Sequence, residues 1–203
     1  MFCPRRLFPI LLVAIAFGSL SPVGAVAQDK PAAQPPADAK PATPPKAKSN
    51  DPFGEEVTLT AKTVVYFKGS GNWDSALETI VDGFKSVNGF LDKAGIKPAG
   101  LPMTIYTSTD DTGFQFQAAV PVAETPKDPP KGDVAVGKTP EGKAYKFMHR
   151  GSYDSMDVTY EAITNFLDEK SIDAKELFVE QYVTDPVSTP EDKLVVEIYV
   201  PIK

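Results

Sequence analysis

Residues that could cross-link the chain are almost absent from its 203 positions. Cys3 is the only cysteine and His149 is the only histidine, so an internal disulfide is excluded and a conventional zinc site lacks ligands. The Gly-x-Ser-x-Gly pattern of serine hydrolases and a phosphate-binding glycine-rich loop with its lysine are also missing. We therefore expect no bound metal or cofactor, and a fold held together by its hydrophobic core.

Positive charge is scarce over most of the chain. Residues 51–203 carry 15 basic and 25 acidic side chains, a net charge of −10. Binding to nucleic acid requires a basic surface, so the composition argues against a nucleic-acid partner. The same charge favours a cationic ligand.

The first 27 residues have the pattern of a secretory signal peptide. Arg5 and Arg6 precede an apolar run over residues 7–18, and Ala25-Val26-Ala27 supplies small residues before a cleavage point at Gln28. The run is shorter than the roughly 20 residues that a membrane-spanning helix needs. We expect a periplasmic or secreted protein with no membrane span after cleavage. Because the arginine pair also partly matches a twin-arginine signal, the export route stays open.

A linker follows the signal peptide. Residues 28–50 contain six prolines and consist otherwise of alanine, lysine and polar residues, without aromatic or β-branched apolar side chains. Such a segment cannot bury enough apolar surface to fold, so we predict a disordered linker. Residues 51–203 remain as one globular domain.

Within this domain, residues 57–122 and 143–203 read as two copies of one strand-helix-strand-strand unit. The copies share short sequence matches in the same order and at compatible spacing. The matched pairs are Trp73 with Tyr153, Leu91 with Leu167, Tyr106 with Tyr182, Gln117 with Glu197, and Val120 with Val200. The repeat predicts an α+β fold with two antiparallel three-stranded sheets, each covered by one long helix, and a pocket at the seam between the copies.

The last predicted strand, over residues 194–202, is apolar on both faces except for Glu197. Two apolar faces imply that the strand is covered on both sides. A carboxylate buried there needs a partner or a cationic guest, because its desolvation is costly. The alternative is that Glu197 lies exposed at an edge or pairs with a lysine.

The second copy also carries the segments His149-Arg150-Gly151-Ser152-Tyr153, Glu180-Gln181-Tyr182 and Glu197-Ile198-Tyr199-Val200-Pro201. In this order and spacing they resemble the GyrI-like small-molecule-binding domain, the effector-binding domain of AraC-type and MerR-type regulators. The resemblance spans about residues 57–203. It implies a pocket between the copies for lipophilic, often cationic compounds, with Glu197 facing the ligand. Ser152 stands where the family usually has proline.

The resulting hypothesis is a periplasmic binding protein for lipophilic, cationic compounds. Its predicted ligand-binding residues are Glu197, Tyr199, Tyr153, Tyr182, Trp73, Tyr106 and Gln117. Aromatic walls around one carboxylate suit an organic cation.

Two alternatives stay open. The first is a hydrolase of strained electrophilic compounds, which the resemblance implies for some members and which would use Glu197 with Tyr153 or Tyr199. The second is haem binding through His149, because the haem-binding SOUL proteins look similar in fold. The sequence identifies no protein partner.

Overall fold

The computed structural model describes residues 53–203, in which eight antiparallel strands form one sheet and two long helices cover one of its faces. The predicted signal peptide and the whole of the predicted linker lie outside the described residues, as do Asp51 and Pro52. The elements in chain order are β1 (Glu55–Leu59), β2 (Thr63–Asn72), α1 (Ala76–Ala94), β3 (Met103–Thr109), β4 (Gly113–Pro121), β5 (Val134–Lys138), β6 (Gly142–Gly151), α2 (Met156–Glu169), β7 (Phe178–Tyr182) and β8 (Leu194–Pro201). The α+β class is confirmed.

The strand order is β1-β6-β8-β7-β3-β4-β2-β5, which reads as two equivalent halves that meet between β7 and β3. Strand register confirms the internal repeat. Ile105 pairs with Gln117 in the first half, and the equivalent residues Gln181 and Glu197 pair in the second. Across the seam Thr104 pairs with Glu180, and these two residues occupy the same position of the repeat. A pseudo-two-fold axis therefore passes between Thr104 and Glu180.

Two details of the predicted fold are wrong. The two halves do not form separate sheets, because β3 and β7 pair with each other and join all eight strands. The single strand predicted over residues 57–67 is two strands in opposite halves of the sheet, β1 at one edge and β2 next to the other edge. Each edge strand pairs with the other half, β1 with β6 and β5 with β2.

Both helices begin after a capped 3₁₀ turn. The side chain of Asn72 accepts a hydrogen bond from the Ser75 amide at 3.1 Å, and the Ser152 hydroxyl accepts one from the Asp154 amide at 3.3 Å. These caps satisfy amides that have no partner at the start of a helix. α1 ends at Gly95, whose φ of +66° suits glycine. The two caps place Trp73 and Tyr153 at equivalent positions above the sheet.

The main core lies between the sheet and the helices and includes Phe84, Phe116 and Ile198. A smaller apolar cluster covers part of the opposite face, which we call the back of the sheet. It consists of Val64, Met103, Ile105, Ala119 and Val179, with Tyr66, Leu177 and Tyr199 packed against it. On β8 the helix-side residues are buried, whereas Val195, Glu197 and Tyr199 on the back are only half-buried, so the predicted cover of both faces is found on the helix side alone. Within residues 53–203, neither helix combines the length and apolar character needed to cross a bilayer.

Candidate functional site

Glu180 is a carboxylate buried at the centre of the sheet, with 1% of its side chain exposed. It lies on β7 and faces the helices, between Phe178 and Tyr182, because alternate residues of a strand share a face. Its partner across the axis is Thr104. Two ionised glutamates at this position would repel each other at close range, and Thr104 in the other copy avoids that repulsion.

Four tyrosine hydroxyls donate hydrogen bonds to the Glu180 carboxylate. Tyr160 donates to Oε1 at 2.8 Å, whereas Tyr106, Tyr153 and Tyr182 donate to Oε2 at 3.1, 3.3 and 3.0 Å. The hydroxyls of Tyr106 and Tyr153 are also 2.7 Å apart. The carboxylate is therefore fully hydrogen-bonded within the protein, but only by uncharged groups.

A cavity of about 650 Å³ lies above this carboxylate, and we call it the front cavity. Its aromatic walls come from both halves of the repeat: Trp73 and Tyr106 from the first, and Tyr153, Tyr160 and Phe178 from the second. The Tyr106 and Phe178 rings stack with centroids 4.5 Å apart. Trp73 stays 42% exposed, and its indole N–H donates to the Asp110 carbonyl at 2.8 Å. Its ring is therefore held at the mouth of the cavity.

The front cavity is lined by acidic residues and by no lysine, arginine or histidine. The acids are Glu180, Asp110, Asp111, Asp154 and Asp157. Hydrogen bonds from Thr112 and Gly113 lower the pKa of the exposed Asp110 carboxyl, which keeps it ionised. The cavity thus attracts cations both at its mouth and at its base.

Burial dominates the titration of the central cluster. Desolvation raises the pKa of Glu180, and hydrogen bonds from the tyrosines, led by Tyr160, lower it in part. Desolvation also raises the pKa of all four tyrosines well above 10, and the Glu180 charge raises it further. The phenols therefore remain protonated donors, and Glu180 is the group of the cluster that can carry a negative charge.

Of the residues that the sequence predicts to bind ligand, Trp73, Tyr106 and Tyr153 line the front cavity. Tyr182 is fully buried behind it and reaches the cavity only through Glu180.

Glu197, Tyr199 and Gln117 do not share this cavity, because they lie on the back of the sheet. Tyr199 packs against the back cluster, and its hydroxyl donates to Glu197 at 2.7 Å. Gln117 lies between Phe116 and Ala118, both of which pack on the helix side. The prediction that Glu197 is the acid of the aromatic pocket is therefore wrong. Glu197 and Tyr153 also lie on opposite faces and cannot act together, so of the two tyrosines predicted to assist Glu197 in hydrolysis only Tyr199 is in contact with it.

His149 lies outside the front cavity, under α2. Its Nδ1 is 2.8 Å from the Thr159 hydroxyl, and its Nε2 is 3.1 Å from the Ser152 carbonyl. Burial lowers the pKa of His149. Both ring nitrogens are occupied, which leaves none for haem iron. Within residues 53–203, no group of three or more His, Cys, Asp or Glu side chains is placed to hold a metal ion.

The sequence reasoning missed Glu180, although a signal for it was present. Tyr182 was predicted to face the pocket, and residues two apart on a strand share a face, so the same pattern places Glu180 there. The apolar alternation of β8 indicates that Glu197 is the only acid of that strand, but it does not indicate which face of the sheet the helices cover.

Comparison with known proteins fits this geometry. The family model described as the GyrI-like small molecule binding domain matches residues 55–203. The chain belongs to the GyrI-like family. Among curated proteins no sequence gives a significant match.

Solved structures show the GyrI-like fold at low sequence identity. EcmrR in a complex with DNA aligns at a TM-score of 0.63 with 15% identity, over 74% of this chain and 57% of that one. SAV2435 bound to tetraphenylphosphonium aligns at a TM-score of 0.53 with 17% identity, over 74% of this chain and 93% of that one. A hydrolase from Listeria innocua aligns at 0.56 with 12% identity, over 74% and 92% of the two chains. These likenesses show the fold.

Proposed function

We propose that this GyrI-like protein binds lipophilic organic cations in the front cavity, with the positive charge near Glu180. The observation that carries the proposal is a buried carboxylate beneath an aromatic cavity that no lysine, arginine or histidine lines. Hydrogen bonds from neutral phenols hold the carboxylate in place but leave its charge uncompensated.

A bound cation would supply the missing charge. Burying an ionised carboxylate is costly, and an opposite charge within about 4–6 Å favours the ionised form. The faces of the aromatic rings attract the same cation through cation–π interactions, which add to its attraction to the carboxylate. The apolar part of a lipophilic cation would cover Trp73 and Phe178, while the exposed aspartates raise the local concentration of cations.

The bound cation in the related SAV2435 structure supports this class of ligand. For location, the arginine pair, apolar run and small-residue cleavage pattern of residues 1–27 support export to the periplasm. The protein would then meet its ligands outside the cytoplasm.

The test is tetraphenylphosphonium binding, followed by the fluorescence of Trp73, which is the only tryptophan and lines the cavity. Glu180→Gln keeps the side-chain shape and removes its charge. A contact to a charged group contributes about 1.5–3 kcal/mol, so we expect affinity to fall roughly tenfold to a hundredfold. An uncharged triaryl compound, triphenylphosphine oxide, should bind both forms equally.

The matched control is Glu197→Gln, which removes the same charge on the other face of the sheet and should leave cation affinity within about twofold of the unchanged protein. Equal affinity of Glu180→Gln and the unchanged protein for tetraphenylphosphonium would refute the proposal. Product formation from a strained-ring electrophile such as styrene oxide, if lost in Glu180→Gln, would instead favour a hydrolase.

A further inference from the structure

A second cavity, which we call the back cavity, lies on the face of the sheet that carries no helix. Its volume is about 310 Å³, near the lower end of the about 300–1,000 Å³ range of small-molecule sites. It spans the seam, because its lining includes Met103 of β3 and Val179 of β7.

One wall of this cavity is formed by the two segments that connect the edge strands β1 and β5 to the strands that follow them in the chain. The segment between β1 and β2 meets the segment between β5 and β6, where the Lys62 amide donates to the Thr139 hydroxyl at 2.9 Å and the Thr139 amide donates to the Lys62 carbonyl at 3.0 Å. These two bonds fix one wall of the cavity. Met103 and Val179, each 4% exposed, provide an apolar surface.

The charge of the back cavity is opposite to that of the front cavity. Lys62 and Lys146 line it, and no aspartate or glutamate does. Lys146 lies 2.8 Å from Glu55, so its charge is largely compensated. No carboxylate in the described part of the chain pairs with the Lys62 ammonium.

Glu197, an acid on this face, is hydrogen-bonded to two residues that line the back cavity. Its Oε2 accepts hydrogen bonds from Gln181 at 2.9 Å and from Tyr199 at 2.7 Å. Burial and this hydrogen bond raise the pKa of Tyr199, which keeps its hydroxyl a donor. Glu197 itself does not line the cavity, and within the lining Lys62 is the cationic side chain without a carboxylate partner.

We propose that the back cavity binds small anionic amphiphiles, with a carboxylate at Lys62 and an apolar chain over Met103 and Val179. A guest that offers both parts matches the lining better than a polar anion or a hydrocarbon. This site is separate from the front cavity, and the proposal does not depend on cation binding there.

The experiment uses octanoate as the probe and methyl-¹³C-methionine NMR of the full chain. The chain has four methionines, of which Met103 lines the back cavity and Met156 lines the front cavity. Each site thus has its own reporter. We expect octanoate to shift the Met103 methyl signal in a saturable manner and to leave Met156 unchanged.

Two variants test the assignment. Lys62→Gln should weaken octanoate binding about two- to fivefold, as expected for an exposed charge contact. Thr60→Trp, at an exposed position of the lining, should fill the cavity and abolish the Met103 shift. Lys93→Gln, on α1, is the matched control and should change nothing.

Octyltrimethylammonium, which has the same chain and the opposite charge, should shift Met103 at least fivefold more weakly. The proposal is overturned if octanoate does not shift Met103, if it shifts only Met156, or if Lys62→Gln and the charge of the probe make no difference. Tetraphenylphosphonium should shift Met156 in the same sample, so failure of the front site is seen independently.

Discussion

The two oxygens of Glu180 differ in the number of hydrogen bonds that they receive, and this difference predicts the effect of removing single hydroxyls. Oε1 receives one bond, from Tyr160 at 2.8 Å, whereas Oε2 receives three. Tyr160→Phe leaves Oε1 without a protein donor in a side chain that is 1% exposed. Tyr153→Phe leaves Oε2 with two donors, and Tyr106 keeps Glu180 as an acceptor.

The expected costs follow from these counts. A hydrogen bond to a charged group contributes about 1.5–3 kcal/mol, and we expect Tyr160→Phe to lower the free energy of unfolding by about that amount. For a domain of this size the loss corresponds to a decrease in Tm of roughly 3–12 °C. Tyr153→Phe should cost less than about 1 kcal/mol, because its longer bond leaves no oxygen unpartnered.

Urea unfolding at neutral pH, followed by Trp73 fluorescence, measures both variants, and an unchanged m-value would show that the unfolded states are comparable. A double-mutant cycle with Glu180→Gln isolates the coupling energy between Tyr160 and Glu180, which we expect to be on the order of 1–2 kcal/mol. If Tyr160→Phe and Tyr153→Phe lowered the free energy of unfolding equally, or if the coupling energy were near zero, the assignment of one hydrogen bond to Oε1 and three to Oε2 would be refuted.

Two further predictions concern the seam and the turn beside it. Because burial raises the pKa of Glu180 above its ordinary 4.5, the folded chain holds one proton more than the unfolded chain between 4.5 and the raised value. The free energy of unfolding, measured with urea, should therefore fall as pH rises through that window, and Glu180→Gln should make this part of the pH profile flatter. Identical slopes against pH for the variant and the unchanged protein would contradict the prediction. A Cβ at Gly113 would overlap the Gly71 carbonyl oxygen, so Gly113→Ala should lower the free energy of unfolding by about 1–3 kcal/mol. Gly89→Ala, on α1 with open space around it, should raise the free energy of unfolding by about 0.5–1 kcal/mol. If both alanine variants changed the free energy of unfolding in the same direction, the close packing at Gly113 would be contradicted.

The internal repeat shows how much of the fold can be predicted from sequence. Matched residues at constant spacing predict equivalent strands and helices, and the register confirms this, since Ile105–Gln117 and Gln181–Glu197 are equivalent pairs. The helix caps at Asn72 and Ser152 could also be predicted, because a cap depends on a few neighbouring residues.

The joining of the halves could not be predicted in the same way. The residues of β1 and β2 alternate as one continuous strand would, and only three residues separate the two strands. Their separation to opposite halves of the sheet depends on pairing with β6 and β5, which are distant in sequence. Local alternation contains no information about which distant strand will be the partner.

The sequence by itself determined the α+β class, the repeat, and the division of each strand into two faces. It therefore also determined that Glu180 and Tyr182 share one face of β7, and that Glu197 and Ile198 point to opposite faces of β8. Only the tertiary structure decided which face the helices cover, and hence that Glu180 and not Glu197 is the acid among the tyrosines. The physical reason is that period-2 alternation fixes which side chains lie together, whereas burial of a face depends on helices that pack from elsewhere in the chain.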